Sequence, residues 1–163
     1  SILPVLSKIF EKSFLIRMLK FLNQNNQFSE YQFGFRKGKS TTDAVANLVE
    51  MVVEGIENRN ATLGVFLDLS KAFDCVDHEH LLDILETHGI RGVPHLWLRS
   101  FLSDRTQVVQ ISNQLSNKIR LDYGVPQGSI LSPILFLLYV NDIESSLMHG
   151  KAVQYADDTT LFF

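Results

Sequence analysis

Two adjacent aspartates, Asp157 and Asp158, sit between hydrophobic runs in the stretch Tyr155-Ala156-Asp157-Asp158. A two-residue hairpin turn ordinarily takes Asn-Gly or Asp-Gly, because positive φ is needed there. An Asp-Asp pair has no such advantage, and its charges repel. Two readings follow: a surface turn whose acids face water, or a pair of oxygen ligands whose repulsion a divalent cation converts into binding. A third acid, Asp68, interrupts the apolar run Val65-Phe66-Leu67-Asp68-Leu69. An unpaired buried carboxylate is costly, so Asp68 needs a partner, a metal or exposure at a strand end, or else it caps the turn into Ser70-Lys71-Ala72. Taken together, the acids suit phosphoryl transfer by two Mg²⁺ ions roughly 3.5–4 Å apart, with an aspartate from each of two neighbouring strands and a second aspartate beside one of them.

The elements that would position these acids mix helix and strand. Ile2, Leu6, Ile9, Phe10, Met18, Leu19 and Leu22 recur at helical spacing until a polar loop at Asn23 to Gln27. Ser40, Thr41 or Thr42 can cap a second helix bearing Val45, Leu48, Val49, Val52 and Ile56. Thr62 to Leu69 lacks polar alternation and predicts a strand buried on both faces. Asp77 can cap a helix that stops at Gly89, and Pro94 suits the first turn of another. Gln107 to Ile111 and Lys118 to Asp122 predict a hairpin around Ser112-Asn113. Ser132-Pro133 opens an almost wholly apolar helix to about Ile143, and Ala152 to Tyr155 and Thr159 to Phe163 read as strands joined at Asp157-Asp158. No regular βαβ repeat appears, which favours an α+β fold over a doubly wound sheet.

Composition narrows the rest. The chain has 163 residues, 45% apolar and 20% charged, as expected of one globular domain. Its 12 Phe residues promise large core side chains. The single cysteine, Cys75, excludes an internal disulfide or a cysteine-cluster metal site and reads as a small core residue. The five histidines offer no metal spacing. No segment is long enough to span a membrane, so no membrane partner is expected; the location expected is intracellular, nucleus or cytoplasm. The net charge of −3 has the wrong sign for a nucleic-acid binder, although Arg36, Lys37 and Lys39 gather local positive charge beside aromatic residues.

Five stretches, in order, give the sequence a family likeness. Ser1-Ile2-Leu3-Pro4 with Lys8-Ile9-Phe10-Glu11-Lys12, and Gln32-Phe33-Gly34-Phe35-Arg36 through Ser40-Thr41-Thr42, resemble the fingers motifs of reverse transcriptases. Phe66-Leu67-Asp68-Leu69-Ser70-Lys71-Ala72-Phe73-Asp74 resembles motif A, Val125-Pro126-Gln127-Gly128-Ser129-Ile130-Leu131-Ser132-Pro133 motif B, and Tyr155-Ala156-Asp157-Asp158 motif C. Phe73-Asp74-Cys75-Val76-Asp77-His78 and the stretch to Val109 are most similar to the non-LTR (LINE-type) retrotransposon branch.

The resemblance implies an α+β right-hand polymerase with fingers and palm, its antiparallel palm sheet packed on helices, and no thumb within the chain. Residues 1–163 would form a single partial domain, fingers-like over 1–60 and about 90–122, palm over 61–89 and 123–163. It implies an RNA-directed DNA polymerase, inactive alone as a truncated chain, that uses an RNA template, a DNA primer and dNTPs. Mg²⁺, with Mn²⁺ as the alternative, would be held by Asp68, Leu69, Asp157 and Asp158, the three aspartates being catalytic. Arg36, Lys71, Ala72, Phe73, Gln127 and Gly128 would bind the nucleotide, with the Phe73 ring excluding a 2′-hydroxyl. The family usually has Pro at Lys37 and Arg at Lys39, so the contacts of that loop differ here. An RNA-dependent RNA polymerase, or an inactive retroelement relic with weak nucleic-acid binding, are the competing readings.

Overall fold

Helices form where caps and apolar spacing predict them. In the computed structural model, which describes residues 5–163, α1 spans Val5–Gln24; the Ser1-Ile2-Leu3-Pro4 part of the first motif and its Ile2 lie outside the described residues. α2 (Thr41–Glu57) begins at Ser40, whose amide donates to the Asp43 carboxylate at 2.7 Å while its hydroxyl accepts the Asp43 amide at 3.2 Å. Bonds from the Ser40 hydroxyl and amide hold the Asp43 carboxyl below its ordinary value. α3 (His78–Thr87) is capped by Asp77, which accepts the His80 amide at 2.8 Å. α4 (Val93–Leu102) carries Pro94 in its first turn.

α5 (Ser132–Tyr139) is shorter than the apolar run that encodes it. The chain leaves the helix to place Asn141, whose Oδ1 accepts the Ser29 amide at 2.8 Å and whose Nδ2 donates to the Gln27 carbonyl at 3.2 Å. One side chain thus ties the loop after α1 to the end of α5.

The sheet has three antiparallel strands in the order β1-β7-β6, where β1 is Gly64–Leu67, β6 Lys151–Tyr155 and β7 Asp158–Phe162. The α+β class and the antiparallel sheet are as expected. The connection between β6 and β7 falls one residue early: Tyr155 pairs with Asp158, so Ala156 and Asp157 form the turn, with Ala156 at φ +59°. Val153 and Phe162 on one face pack with Phe33, Ala44 and Met51 beneath α2. From the other face, Gln154 Nε2 donates to the Val140 carbonyl at 3.1 Å.

Three expectations about burial fail. β1 is not buried on both faces; it is an edge strand paired only with β7, and Phe66 is 78% exposed. α2 packs against β6 instead, which leaves the outer strand uncovered. The Phe residues do not all enter the core: Phe28, Phe33, Phe136 and Phe162 are buried, whereas Phe10, Phe21, Phe35, Phe66 and Phe163 are exposed. Cys75 is exposed as well, because it follows the 3₁₀ turn Ala72–Asp74 on the molecular surface.

The predicted ribbon around Ser112-Asn113 forms in two pieces. β2 (Thr106–Gln107) pairs with β5 (Ile119–Arg120), and β3 (Gln110–Ile111) with β4 (Gln114–Leu115). The register slips by one residue between them, and the Val109 amide there donates to Ser116 Oγ at 2.9 Å, as at a β-bulge. The main core lies where α3, α4 and α5 meet α1, around Leu22, Leu81, Leu85, Leu98, Leu135 and Leu138.

Candidate active site

The site is assembled at one end of the sheet. Leu67 lies opposite Thr159 in the β1–β7 ladder. Asp68 is the first residue past β1, and carrying the register one step further would set it across from Asp158, on the same face of the sheet. Asp157 sits beside them in the turn rather than on a strand. Asp68 and Asp158 are exposed and Asp157 is half-buried.

No described lysine or arginine forms an ion pair with any of the three; the ion pairs among the described residues are Arg99–Glu79, Arg120 with Asp104 and Asp122, and Lys151–Glu54. The donor chemistry, carboxylate oxygen at an open edge without a protein counter-charge, fits a hard divalent cation. Among the described residues, however, no three His, Cys, Asp or Glu side chains stand close enough to form a metal group. Like charges favour spread side chains unless a cation bridges them. The Leu69 carbonyl accepts the Ala72 amide at 3.2 Å, which leaves its second lone pair.

Beyond Asp68 the chain turns through Lys71, at φ +56°, into the Ala72–Asp74 turn. Since the Ala72 amide is bonded to Leu69, it is not a free donor for an anion as expected. The Phe73 ring is half-buried, stacked on Phe136 with centroids 4.5 Å apart and met edge-on by Phe35 at 6.5 Å. It therefore joins the main core to the segment that carries Arg36.

The loop before α5 locks onto this turn. The Val125 amide donates to the Phe73 carbonyl at 2.9 Å and the Gly124 amide to the Val76 carbonyl at 2.7 Å. Gly124 has φ +83°, and a Cβ there would meet the Asp74 carbonyl oxygen at 2.9 Å, so only glycine permits the approach. Gln127 Nε2 donates to Asp74 Oδ1 at 3.0 Å, and both Gln127 and Gly128 are exposed.

Arg36 is partly committed already. Its Nη1 donates to the Ser29 carbonyl at 2.7 Å, and the guanidinium lies 5.0 Å from the Phe28 ring centroid. Burial pulls its pKa down, with Glu30 opposing. Lys39 lies over the Phe33 ring and donates to the Glu30 carbonyl; burial and Arg36 lower its pKa against Glu30 and Asp43. Lys37 is exposed.

Two supporting residues, Glu11 and Gln32, lie inside the fingers motifs, but the sequence assigned neither a role. Glu11 is 1% exposed, and its carboxylate accepts Ser129 Oγ at 2.6 Å and the Ile130 amide at 2.9 Å, pinning the loop that carries Gln127 and Gly128 to α1. Its spacing on the stripe with Met18 and Leu22 is the signal that could have revealed it. Gln32, fully buried, lies against the Ala156 turn.

Comparison with known proteins places the chain in a family and a fold. The family model for "Reverse transcriptase (RNA-dependent DNA polymerase)" matches residues 1–163. The "Probable RNA-directed DNA polymerase from transposon X-element" of Drosophila melanogaster is 32% identical over 169 residues, covering 100% of the chain and 18% of that protein. The RNA-directed DNA polymerase from mobile element jockey of the same organism is 33% identical over 171 residues, covering 99% and 18% respectively. The chain thus spans 18% of the length of these relatives, which are non-LTR retrotransposon polymerases. Among solved structures, apo telomerase from Candida tropicalis superposes with a TM-score of 0.66 over 96% of the chain and 34% of that structure. At 16% identity this likeness shows the fold, a fingers-and-palm-like α+β arrangement.

Proposed function

The chain belongs to the reverse transcriptase (RNA-dependent DNA polymerase) family, and from that premise we propose that it carries the catalytic carboxylates of an enzyme copying retrotransposon RNA into DNA. The observation that carries the proposal is the pairing of β1 with β7, which brings the end of β1, just before Asp68, and the start of β7 at Asp158 to one end of the sheet.

Reverse transcriptases use divalent metal ions. Here Asp68, Asp157 and Asp158, with the Leu69 carbonyl, would hold Mg²⁺, or Mn²⁺ in its place. When bound, such ions supply Lewis-acid stabilisation of the charge that develops during phosphoryl transfer. The chain's own residues bind and orient. The segment from exposed Lys71 to half-buried Phe73 follows Asp68, and its Lys71 and Phe73 amides would receive the triphosphate, with Ala72 contributing shape. Arg36 keeps further guanidinium donors beyond the one given to Ser29 and can pair with phosphate oxygens. Gln127 and Gly128 shape the nucleotide and template side, and the Phe73 ring bars a ribose by contact. The partners proposed are an RNA template, a DNA primer and dNTPs. The fingers-like parts are residues 1–60 and about 90–122; the palm is 61–89 and 123–163.

No helix among the described residues is long and apolar enough to cross a membrane.

The test is primer extension on an RNA template by the full-length protein that contains this chain. Asp68→Asn and Asp157→Asn each remove a ligand charge and should cut dNTP incorporation by at least about a thousandfold, the scale of losing one essential charge-stabilising group. Asp158→Asn should be milder. Near-normal extension by Asp157→Asn would contradict the assignment, and NTP use at the dNTP rate would favour an RNA polymerase.

A further inference from the structure

The segment that carries Phe33 and Phe35 lies directly against the acidic turn. The Gln154 amide donates to the Tyr31 carbonyl at 2.9 Å and the Phe33 amide to the Gln154 carbonyl at 2.8 Å, so the segment runs parallel to β6 for a single bridge centred on Gln32. At the centre of that bridge Gln32 is 0% exposed. Its Oε1 accepts two amides, from Gly34 at 2.8 Å and from Ala156 at 3.1 Å. The approach is as close as backbone permits: a Cβ at Gly34 would come within 2.1 Å of the Ala156 nitrogen.

Two features here cost stability. Ala156 holds a left-handed φ of +59°, which a residue with a Cβ adopts unwillingly. The Nε2 of Gln32 is buried among the described residues without a hydrogen-bond partner, and an unsatisfied buried donor is unfavourable. An apolar side chain of the same length would fill the space without that orphaned donor. What it could not supply is the acceptor that holds the Ala156 amide. Costs of this kind gather where geometry serves a site rather than the core.

We propose that Gln32 is the positioning residue of the turn that presents Asp157 and Asp158: by accepting the Ala156 amide it sets the turn conformation that directs those carboxylates toward Asp68. Gln32 acts through the turn and touches no reacting atom. The inference rests on the reading of the acids given under Proposed function.

The test uses the full-length protein with Gln32→Met, close to Gln in length and lacking the acceptor. Peptide-level hydrogen–deuterium exchange reads the turn independently of activity. Exchange across residues 154–158 should speed up about fivefold, the scale of one lost hydrogen bond, while peptides from the Leu81–Leu85 core keep the parent rate. In primer extension the Mn²⁺ concentration for half-maximal rate should rise about tenfold or more, as when a residue supporting a metal ligand is lost, with the KM for dNTP unchanged. Parent-like exchange across 154–158 would overturn the proposal. So would faster exchange spread equally into the core, which would make Gln32 an ordinary core residue, and so would faster turn exchange with an unaltered Mn²⁺ requirement. If Asp157→Asn leaves extension intact, the reading of the acids fails instead, and the exchange result still decides whether Gln32 holds the turn.

Discussion

The turn bearing Asp157 and Asp158 and the segment following Asp68 meet at one end of the same sheet, yet they are held in opposite ways. The turn is braced from within: Ala156, Gln154, Thr159 and Thr160 are buried, and Gln32 bonds the Ala156 amide. The Asp68 segment leaves an exposed edge strand and continues through exposed Leu69, Ser70 and Lys71. Its attachments are backbone bonds from Val125 and Gly124, the exposed link between Gln127 and Asp74, and, further along, the Phe73 ring stacked on Phe136. For the polymerase site proposed above, one fixed wall and one open wall would have a physical logic. The fixed turn needs no reorganisation when charge develops near it. The open segment would be the part to adjust around the proposed nucleotide as it binds and leaves.

The largest expected effect breaks the fixed wall. Gly34→Ala places a Cβ against the Ala156 backbone, where neither partner has a flexible end to yield, so the segment or the turn must move. Unfolding by denaturant should show a loss of about 3 kcal/mol, the upper range for overpacking a close contact. Unchanged stability would mean that the seam between the segment and the turn is looser than its geometry indicates.

A smaller effect sharpens the contrast on the open wall. Phe73 has one ring face on Phe136 and only an edge contact with Phe35, so one side of the ring is core and the ring is only half-buried. Phe73→Val should raise NTP use relative to dNTP use in single-nucleotide extension by about 10–200-fold, equivalent to roughly 1–3 kcal/mol for relieving one pocket clash. Retained activity with unchanged discrimination would assign Phe73 to the core alone.

Much of the scaffold was legible in the sequence because its signals are local. Ser40 and Asp77 cap helices through their own neighbours, Pro94 opens α4, and β6 and β7 follow from short apolar runs on either side of the acids. The exposure of β1 was not legible. An apolar run reports that residues can be buried, whereas covering them depends on where α2 docks, and α2 docks over β6. The same limit misplaced Cys75 and several Phe residues. At the site, the motifs located the acids, but the chain connecting them to the fold was hidden. Glu11 and Ser129 are far apart in sequence, as are Gln32 and Ala156, and no periodicity encodes a bond between a buried polar group and a distant amide. The turn itself shifted by one residue because Ala156 accepts a left-handed φ that its type does not advertise.

The central claim, that Asp68, Asp157 and Asp158 form one divalent-cation site, is tested most directly by binding rather than by turnover. Mn²⁺ titrated into the full-length protein and followed by electron paramagnetic resonance counts bound ions without requiring a primer or nucleotide. Asp68→Asn, just past the end of β1, and Asp157→Asn, in the β6–β7 turn, should each weaken Mn²⁺ binding by about tenfold or more, since each removes a charged ligand from the same ion. If both variants bind Mn²⁺ as the parent does, the acids are a solvated surface turn and a strand end, and the account is wrong.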